Sequence, residues 1–285
     1  MTDTWDPGYG PLIDTRMRVA TWNVWGRYGP WEERQPIIEA NLRAIDADII
    51  CLQEAWEDDT RSQPAALAAA LGMSFVYERA FMMNGGWSGN AVLSRWPILR
   101  HEVDELPMEG GGAVDTDEGE RRLIVFTEID GPRGPLQVFC THLSWRADWS
   151  GVRQAQVRRV CEVVRAHTPR AFPAILCGDL NAEPMSDEIR MLTGLAAVPV
   201  PGVIFRDAWA AGAGPDSGSG ATVGPRNPYG AAALEPDARI DYVLVGWPKL
   251  GGAGQVLIVA VVGDLPGAEG RFGSDHFAVA ADLRY

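Results

Sequence analysis

The sequence predicts an α/β sandwich in layers, with two mixed β-sheets packed together and helices outside. Three observations carry this. Apolar runs of strand length recur along the whole chain, two longer segments carry helical spacing, and some runs follow one another directly while others are separated by a helix. No internal repeat is visible.

Taken in order, residues 18–24 (RVATWNV) and 49–53 (IICLQ) read as buried strands. Between them, WEERQPIIEANLRAID places Ile37, Ile38, Leu42 and Ile45 at helical intervals. Further strands are expected at SFVYE, NAVLS, RLIVFTEI, LQVFCTHL, AILCG, IDYVLV, VLIVAVV and HFAVAADL. A second helix at 150–167 puts Val157, Val160, Cys161 and Val164 on one face. The stretch 212–220 (GAGPDSGSG) has linker composition, yet strand patterns resume after it, so a long surface loop inside one domain is expected. The division is a flexible N-terminal segment over 1–15 and a single domain over 16–285.

At 285 residues and 46% apolar content the chain has ample material for a sizeable core. The 25 basic against 38 acidic residues give a formal net charge of -13, which argues against a sequence-independent nucleic-acid binder working by phosphate neutralisation. A nuclease with a local basic or metal-charged cleft is not excluded. The amino terminus lacks a basic segment followed by an apolar run, so neither signal peptide nor membrane span is read there and a cytoplasmic enzyme is expected. Cys51, Cys140, Cys161 and Cys177 show no paired short spacing and read as reduced core residues.

The informative feature is where polar residues interrupt the apolar runs. Asn23 ends the first strand, Glu54 ends the second, His142 follows VFCT, Asp179 and Asn181 follow AILCG, Asp241 opens a strand, and Asp275-His276 precedes another. Each has an ordinary structural reading: Glu54 as a helix cap, Asn23 or Asp179 as a turn residue, His142 as a hydrogen-bonded core histidine. Of the four histidines, His101 and His167 look like solvated surface residues, whereas His142 and His276 lie beside apolar strands. Jointly, hard oxygen donors without thiolates suit Mg²⁺ or Mn²⁺, histidines beside such a metal can bond a phosphoryl oxygen, and an extra Asp can orient water. That combination is a phosphoester-hydrolysis site.

TWNVWG, LQEAW, SGNAVLSRWPI, CTHLSW, GDLNAEP, RIDYVLV and GSDHFAV, in this order over nearly the whole chain, resemble the endonuclease/exonuclease/phosphatase superfamily. The resemblance implies a four-layer α/β sandwich. It implies Glu54 as principal metal ligand with Asn23 and Asp275 near the metal, and Asp179 as the group that orients or deprotonates the attacking water. Asn181 would hold that water or a phosphate oxygen, and His276, fixed by Asp241, would contact the phosphate. His142 would stabilise the transition state or protonate the leaving group; Asn90 would lie beside it or the phosphate, with a structural strand-end role open. Arg122 and Trp25 are further candidate substrate contacts. One departure is Trp25 itself, where abasic-site endonucleases of the family carry an acidic residue; this removes a second metal ligand and weakens a DNA-repair reading.

The expected activity is Mg²⁺-dependent (or Mn²⁺-dependent) hydrolysis of a phosphate ester by in-line attack of water. A small phosphorylated substrate or lipid head group is preferred. A nuclease, which would need a cluster such as Arg121, Arg122, Arg146, Arg153 and Arg158 to hold a strand, is the alternative, so nucleic acid stays open as a partner. A catalytically inactive binding module is the second alternative. No protein partner and no stable membrane association are expected. Trp22, Trp25, Trp56, Trp87 and Trp145, from eleven tryptophans, either wall an aromatic cleft or pack around the site.

Overall fold

The computed structural model describes residues 8–108, 120–168 and 171–285. One sheet has the order β11 (Val256–Val262), β12 (Ala278–Arg284), β1 (Arg16–Asn23), β2 (Ile49–Glu57), β4 (Gly86–Ser94), β3 (Ser74–Met83). The other runs β5 (Ile98–Leu106), β6 (Arg122–Gly131), β7 (Gly134–His142), β8 (Ile175–Asp179), β10 (Asp241–Gly246), β9 (Phe205–Asp207). Each sheet is mixed, with a parallel pair at its centre, β1 with β2 and β7 with β8. Those two connections are the ones made by long helices, α1 (Trp31–Ile45) and α3 (Ser150–Ala166), because a parallel pair needs a crossover that a hairpin cannot supply. The shorter helices are α2 (Gln63–Leu71), α4 (Asp187–Thr193), α5 (Ala208–Gly212) and α6 (Pro228–Ala233).

Side-chain alternation assigns every central strand two buried faces. On β1, Met17 and Val19 lie between the sheets while Ala20 and Trp22 face the helices; on β8, Ile175 and Cys177 point inward and Leu176 outward. The resulting three apolar clusters are separated by two sheets, the four-layer sandwich expected, and strands buried on both sides read as near-continuous apolar runs. All four cysteines are buried and free.

Several local expectations change. The second strand does not end at Glu54 but continues to Glu57 through a bulge between Leu52 and Ala55. The last strand begins at Ala278, two residues later than the apolar run suggests. On α1 the core face is Arg34, Ile38, Asn41, Leu42 and Ile45, with Ile37 only half-buried. His167 is not solvated: its ring lies 3.8 Å from that of Phe126, and its Nδ1 bonds the Val163 carbonyl at 2.8 Å. His101 is exposed, paired with Glu78. Of the expected N-terminal segment, residues 1–7 lie outside the described residues. Tyr9, Ile13 and Thr15 hydrogen-bond to Gly251 and Tyr285. The stretch 212–220 is mostly exposed and leads directly into Thr222, which is buried against the strands. Among the described residues no helix is long and apolar enough to cross a membrane.

Gly178 shows how tightly the centre is built. A Cβ there would lie 2.0 Å from the Thr141 carbonyl oxygen of the paired strand β7, which is backbone and cannot rotate away. Gly178→Ala is therefore expected to destabilise the protein by about 1–3 kcal/mol or more, as overpacking does, and to displace Asp179 next to it. Equilibrium denaturant unfolding checks this; an unchanged midpoint would mean that β7 and β8 separate at no cost.

Candidate active site

The alternation that builds the inter-sheet core also builds the site. Along β7, Val138 and Cys140 face the opposite sheet and His142 follows in register; along β8, Ile175 and Cys177 lead to Asp179; along β10, Val245 and Val243 lead to Asp241. Asp179 is paired directly with His142 on one side and Asp241 on the other, so three chemically active side chains form one row. From the facing sheet, Met17 and Val19 lead to Thr21 and Asn23 on the same face. The apolar layer thus turns polar at one end.

Glu54 reaches this end through the bulge in β2, where it adopts a positive φ of 55°. Asn181 (φ 48°) and Trp25 (φ 57°) are likewise left-handed. Three non-glycine residues in this conformation around one site mark backbone that the surrounding structure over-determines.

Asn23 Nδ2 donates to Glu54 Oε1 at 3.1 Å and to Asp179 Oδ2 at 3.0 Å, joining the two sheets. Asp179 Oδ1 accepts the Asn181 backbone N–H at 2.9 Å. Asn181 Nδ2 donates to the Leu143 carbonyl at 3.1 Å and lies 3.1 Å from His142 Nε2. His276 Nδ1 is 2.9 Å from Asp241 Oδ2, and its Nε2 is 3.9 Å from Asp179 Oδ2. The ligand atoms of Asp179, Asp241 and His276 all lie within 4.8 Å of one another.

Electrostatics separates the two imidazoles. Burial, then Arg122 and His276, hold His142 well below the usual imidazole value, so its 3.4 Å approach to Asp179 is made by a neutral ring. Burial opposes charge on His276 too, but Asp241, followed by Asp275 and Asp179, outweighs it and raises this histidine well above its ordinary range. Burial and then Asp241 push Asp179 up to about 7. Burial raises Glu54, and Asp275 adds repulsion. Asp275 is also raised by burial, opposed by His276, Ser274 and Arg34.

The buried atoms without partners are informative. Glu54 Oε2 and Asp241 Oδ1 have none, nor do Arg122 Nε and Nη1, although Arg122 Nη2 bonds Glu120. An orphaned carboxylate oxygen repelled by a second carboxylate fits a cation, and an orphaned guanidinium edge fits an anion. Asn90 is buried on β4, but its amide donates to the Leu123 carbonyl at 3.2 Å, a structural bond. Trp25 packs on Tyr229, ring centroids 4.7 Å apart. Trp22 is fully buried and its indole N–H donates to the His276 carbonyl at 2.9 Å, whereas Trp145 is exposed; the five tryptophans do not form one wall.

Sequence reasoning missed the supporting polar residues. Ser274 Oγ donates to the Asn23 carbonyl at 2.7 Å and accepts the His276 N–H at 3.2 Å. The Thr222 carbonyl accepts the Phe277 N–H at 2.7 Å, and its hydroxyl accepts the Ile240 N–H at 3.3 Å. Ser274 was legible only as a neighbour of the Asp-His pair, and Thr222 carried no signal. Of the arginines that a nuclease would need as a cluster, Arg153 is buried against Glu188 at 2.6 Å, and Arg121 pairs with Glu105 at 2.8 Å.

A model of the Endonuclease/Exonuclease/phosphatase family matches residues 20–276. The chain belongs to that family. Members of that family are metal-dependent phosphoesterases and nucleases. It is 29% identical over 181 residues to the Escherichia coli protein YbhP, covering 58% of this chain and 66% of that one. It is 26% identical over 206 residues to inositol phosphosphingolipids phospholipase C of Schizosaccharomyces pombe, covering 68% of this chain and 46% of the relative. The crystal structure of an endonuclease/exonuclease/phosphatase from Beutenbergia cavernae superposes with a TM-score of 0.68 at 26% identity, over 94% of this chain and 71% of that one. The matched segments thus span from about half to two thirds of these curated relatives.

Proposed function

We propose that the protein hydrolyses a phosphate ester by in-line attack of water, with Mg²⁺ (or Mn²⁺) as cofactor. The observation that carries this is the opposition of Glu54, with its unpartnered buried oxygen, to the His142–Asp179–Asp241 row across the sheet interface. Glu54 would hold the cation with Asp275 and Asn23 near it, a hard oxygen set that suits Mg²⁺. The cation, when bound, supplies Lewis-acid neutralisation of phosphate charge. The trio Asp179, Asp241 and His276 is compact enough to suggest a cation site too, but His276 Nδ1 is engaged by Asp241 and its ring is held positive. That pair is better read as an oriented imidazolium.

Asp179, with a pKa near neutrality, takes the proton of the attacking water as the oxygen–phosphorus bond forms. Asn181 orients that water or a phosphate oxygen. His276 donates from Nε2 to the phosphate, and Arg122 offers its unpartnered Nε and Nη1. The neutral state of His142 favours donation of a hydrogen bond to the developing charge over protonation of the leaving group. The ester oxygen departs with its electron pair and takes a proton from solvent.

A small phosphorylated substrate or lipid head group is favoured over a polynucleotide, on the net charge of -13 and the engagement of Arg121 and Arg153 in ion pairs. Similarity to a phosphosphingolipid phospholipase C agrees with the head-group reading. Assay with bis-p-nitrophenyl phosphate, inositol phosphates, sphingomyelin, plasmid DNA and RNA, at fixed Mg²⁺ and several salt concentrations, tests it. Counterion release gives a log-log salt slope of about -0.9 per neutralised phosphate, so one or two cationic contacts predict a slope no steeper than about -2 for the best substrate. A steep slope with efficient plasmid nicking would make the nuclease reading primary, and no metal-dependent turnover of any substrate would favour the binding module.

A further inference from the structure

We infer that Arg34, on the first turn of α1 and outside every motif described above, is a positioning residue that fixes the separation of the two loops carrying the cation site. The inference rests on the reading of Glu54, Asn23 and Asp275 as that site. Arg34 is fully buried. Its Nη1 donates to the carbonyls of Val24 at 2.9 Å and Gly273 at 2.6 Å; its Nη2 donates to those of Trp25 and Gly26 at 2.8 Å and Tyr28 at 3.1 Å. Among the described residues it forms no salt bridge, and its charged plane lies 4.8 Å from the Trp25 ring centre. A buried guanidinium whose two Nη groups are shared among five backbone carbonyls, with Nε alone unpartnered, is holding chain segments in place.

The held segments are the informative part. Val24 to Tyr28 is the loop directly after Asn23, and it contains the left-handed Trp25 and Gly26. The Trp25 N–H donates to Asn23 Oδ1 at 2.9 Å, which turns Asn23 Nδ2 toward Glu54 and Asp179. Gly273 is the residue before Ser274, whose hydroxyl joins the Asn23 carbonyl to the His276 N–H, and it lies two before Asp275. One planar fork therefore clasps the Asn23 loop to the Asp275-His276 loop from behind. Burial brings its pKa down to about 10, with Asp275, Tyr229 and Glu54 opposing, so it stays charged at neutral pH.

The test uses the full chain with Arg34→Met, which keeps bulk and loses donors, and Arg34→Lys, which keeps charge but replaces the fork by a point donor. Mn²⁺ binding by isothermal titration calorimetry gives a readout apart from activity. Weakening by about 10–100-fold is expected for Arg34→Met, the range for loss of a group that orients a metal ligand, with Arg34→Lys intermediate. The turnover number with bis-p-nitrophenyl phosphate should fall more than its KM changes. A folded Arg34→Met with Mn²⁺ affinity within twofold of the parent overturns the inference. If only Arg34→Lys folds, parental affinity in that variant does the same, and if neither folds, Arg34 is a folding requirement and the inference fails. Glu54→Gln in the same titration separates the two readings: retained affinity there removes the cation site itself, whereas loss there and none at Arg34 removes only the role of Arg34.

Discussion

Asp179→Asn is expected to lower the turnover number by about two to four orders of magnitude, the span of a positioned general base, while the protein still folds and binds metal. The physical grounds lie in what each oxygen of Asp179 does. Oδ1 accepts the Asn181 N–H and Oδ2 accepts the Asn23 amide, so the carboxylate is fixed by two donors from opposite sheets and aimed into the site. An asparagine retains one acceptor and presents its amide nitrogen to the other donor, at a cost of about 1–3 kcal/mol for the unmatched pair. It also removes the repulsion with Asp241, which together with burial is what raises Asp179 to about 7. These effects oppose each other, so stability changes little. The proton acceptor, by contrast, is lost outright. Steady-state kinetics at saturating Mg²⁺ decides it, and an unchanged turnover number would return Asp179 to the role of a turn-forming residue.

Glu54→Gln is expected to weaken metal binding and activity together, by at least the ~10–100-fold that loss of an outer-shell partner costs. Gln keeps the shape and can still accept from Asn23, but it offers no anionic oxygen where Oε2 now lies buried and unpartnered. The same change should leave the metal-free protein no less stable. A carboxyl raised by burial and by Asp275 disfavours the folded state at pH values above its folded pKa, and a neutral amide removes that contribution. Mg²⁺ titration of activity, Mn²⁺ calorimetry and thermal melting without metal separate these effects. Parental rate at parental metal concentration would show that Glu54 is no ligand, and a large loss of metal-free stability would show a structural role instead.

What the sequence determined by itself was the layered sandwich and the residues of the candidate site. Central strands are buried on both faces, so their apolar runs are long and unmistakable, and a polar residue at the end of such a run stands out. Asn23, Glu54, His142, Asp179, Asn181, Asp241 and the Asp275-His276 pair were legible for that reason, and the ordered motifs added the roles expected of them. Peripheral elements were not legible on the same signal. Strand β5 (ILRHEVDEL) is a mostly exposed edge whose charges suit an unpaired rim but give no apolar pattern, and β9 is three residues long. Helix α2 is not legible either, despite Ser62 accepting from Ala65, Pro64 in its first turn, alanines within and Gly72 at its end, because an alanine-rich segment has no strong amphipathic period.

Only the tertiary structure decided how the polar residues are used. His142 and His276 look alike in sequence, yet burial, with Arg122 adding to it, holds His142 neutral, while the carboxylates facing His276 outweigh burial and hold it charged. Glu54 enters the site through a bulge and a left-handed backbone that strand propensity does not announce. Arg34 carries no signal of its own in the sequence and Arg153 reads as a candidate strand-holding contact, and packing turned one into a clasp for five carbonyls and the other into a buried partner of Glu188. Strand alternation is a local property that the chain carries in its own order of residues, whereas charge state and burial of a long polar side chain depend on segments brought together from far along it.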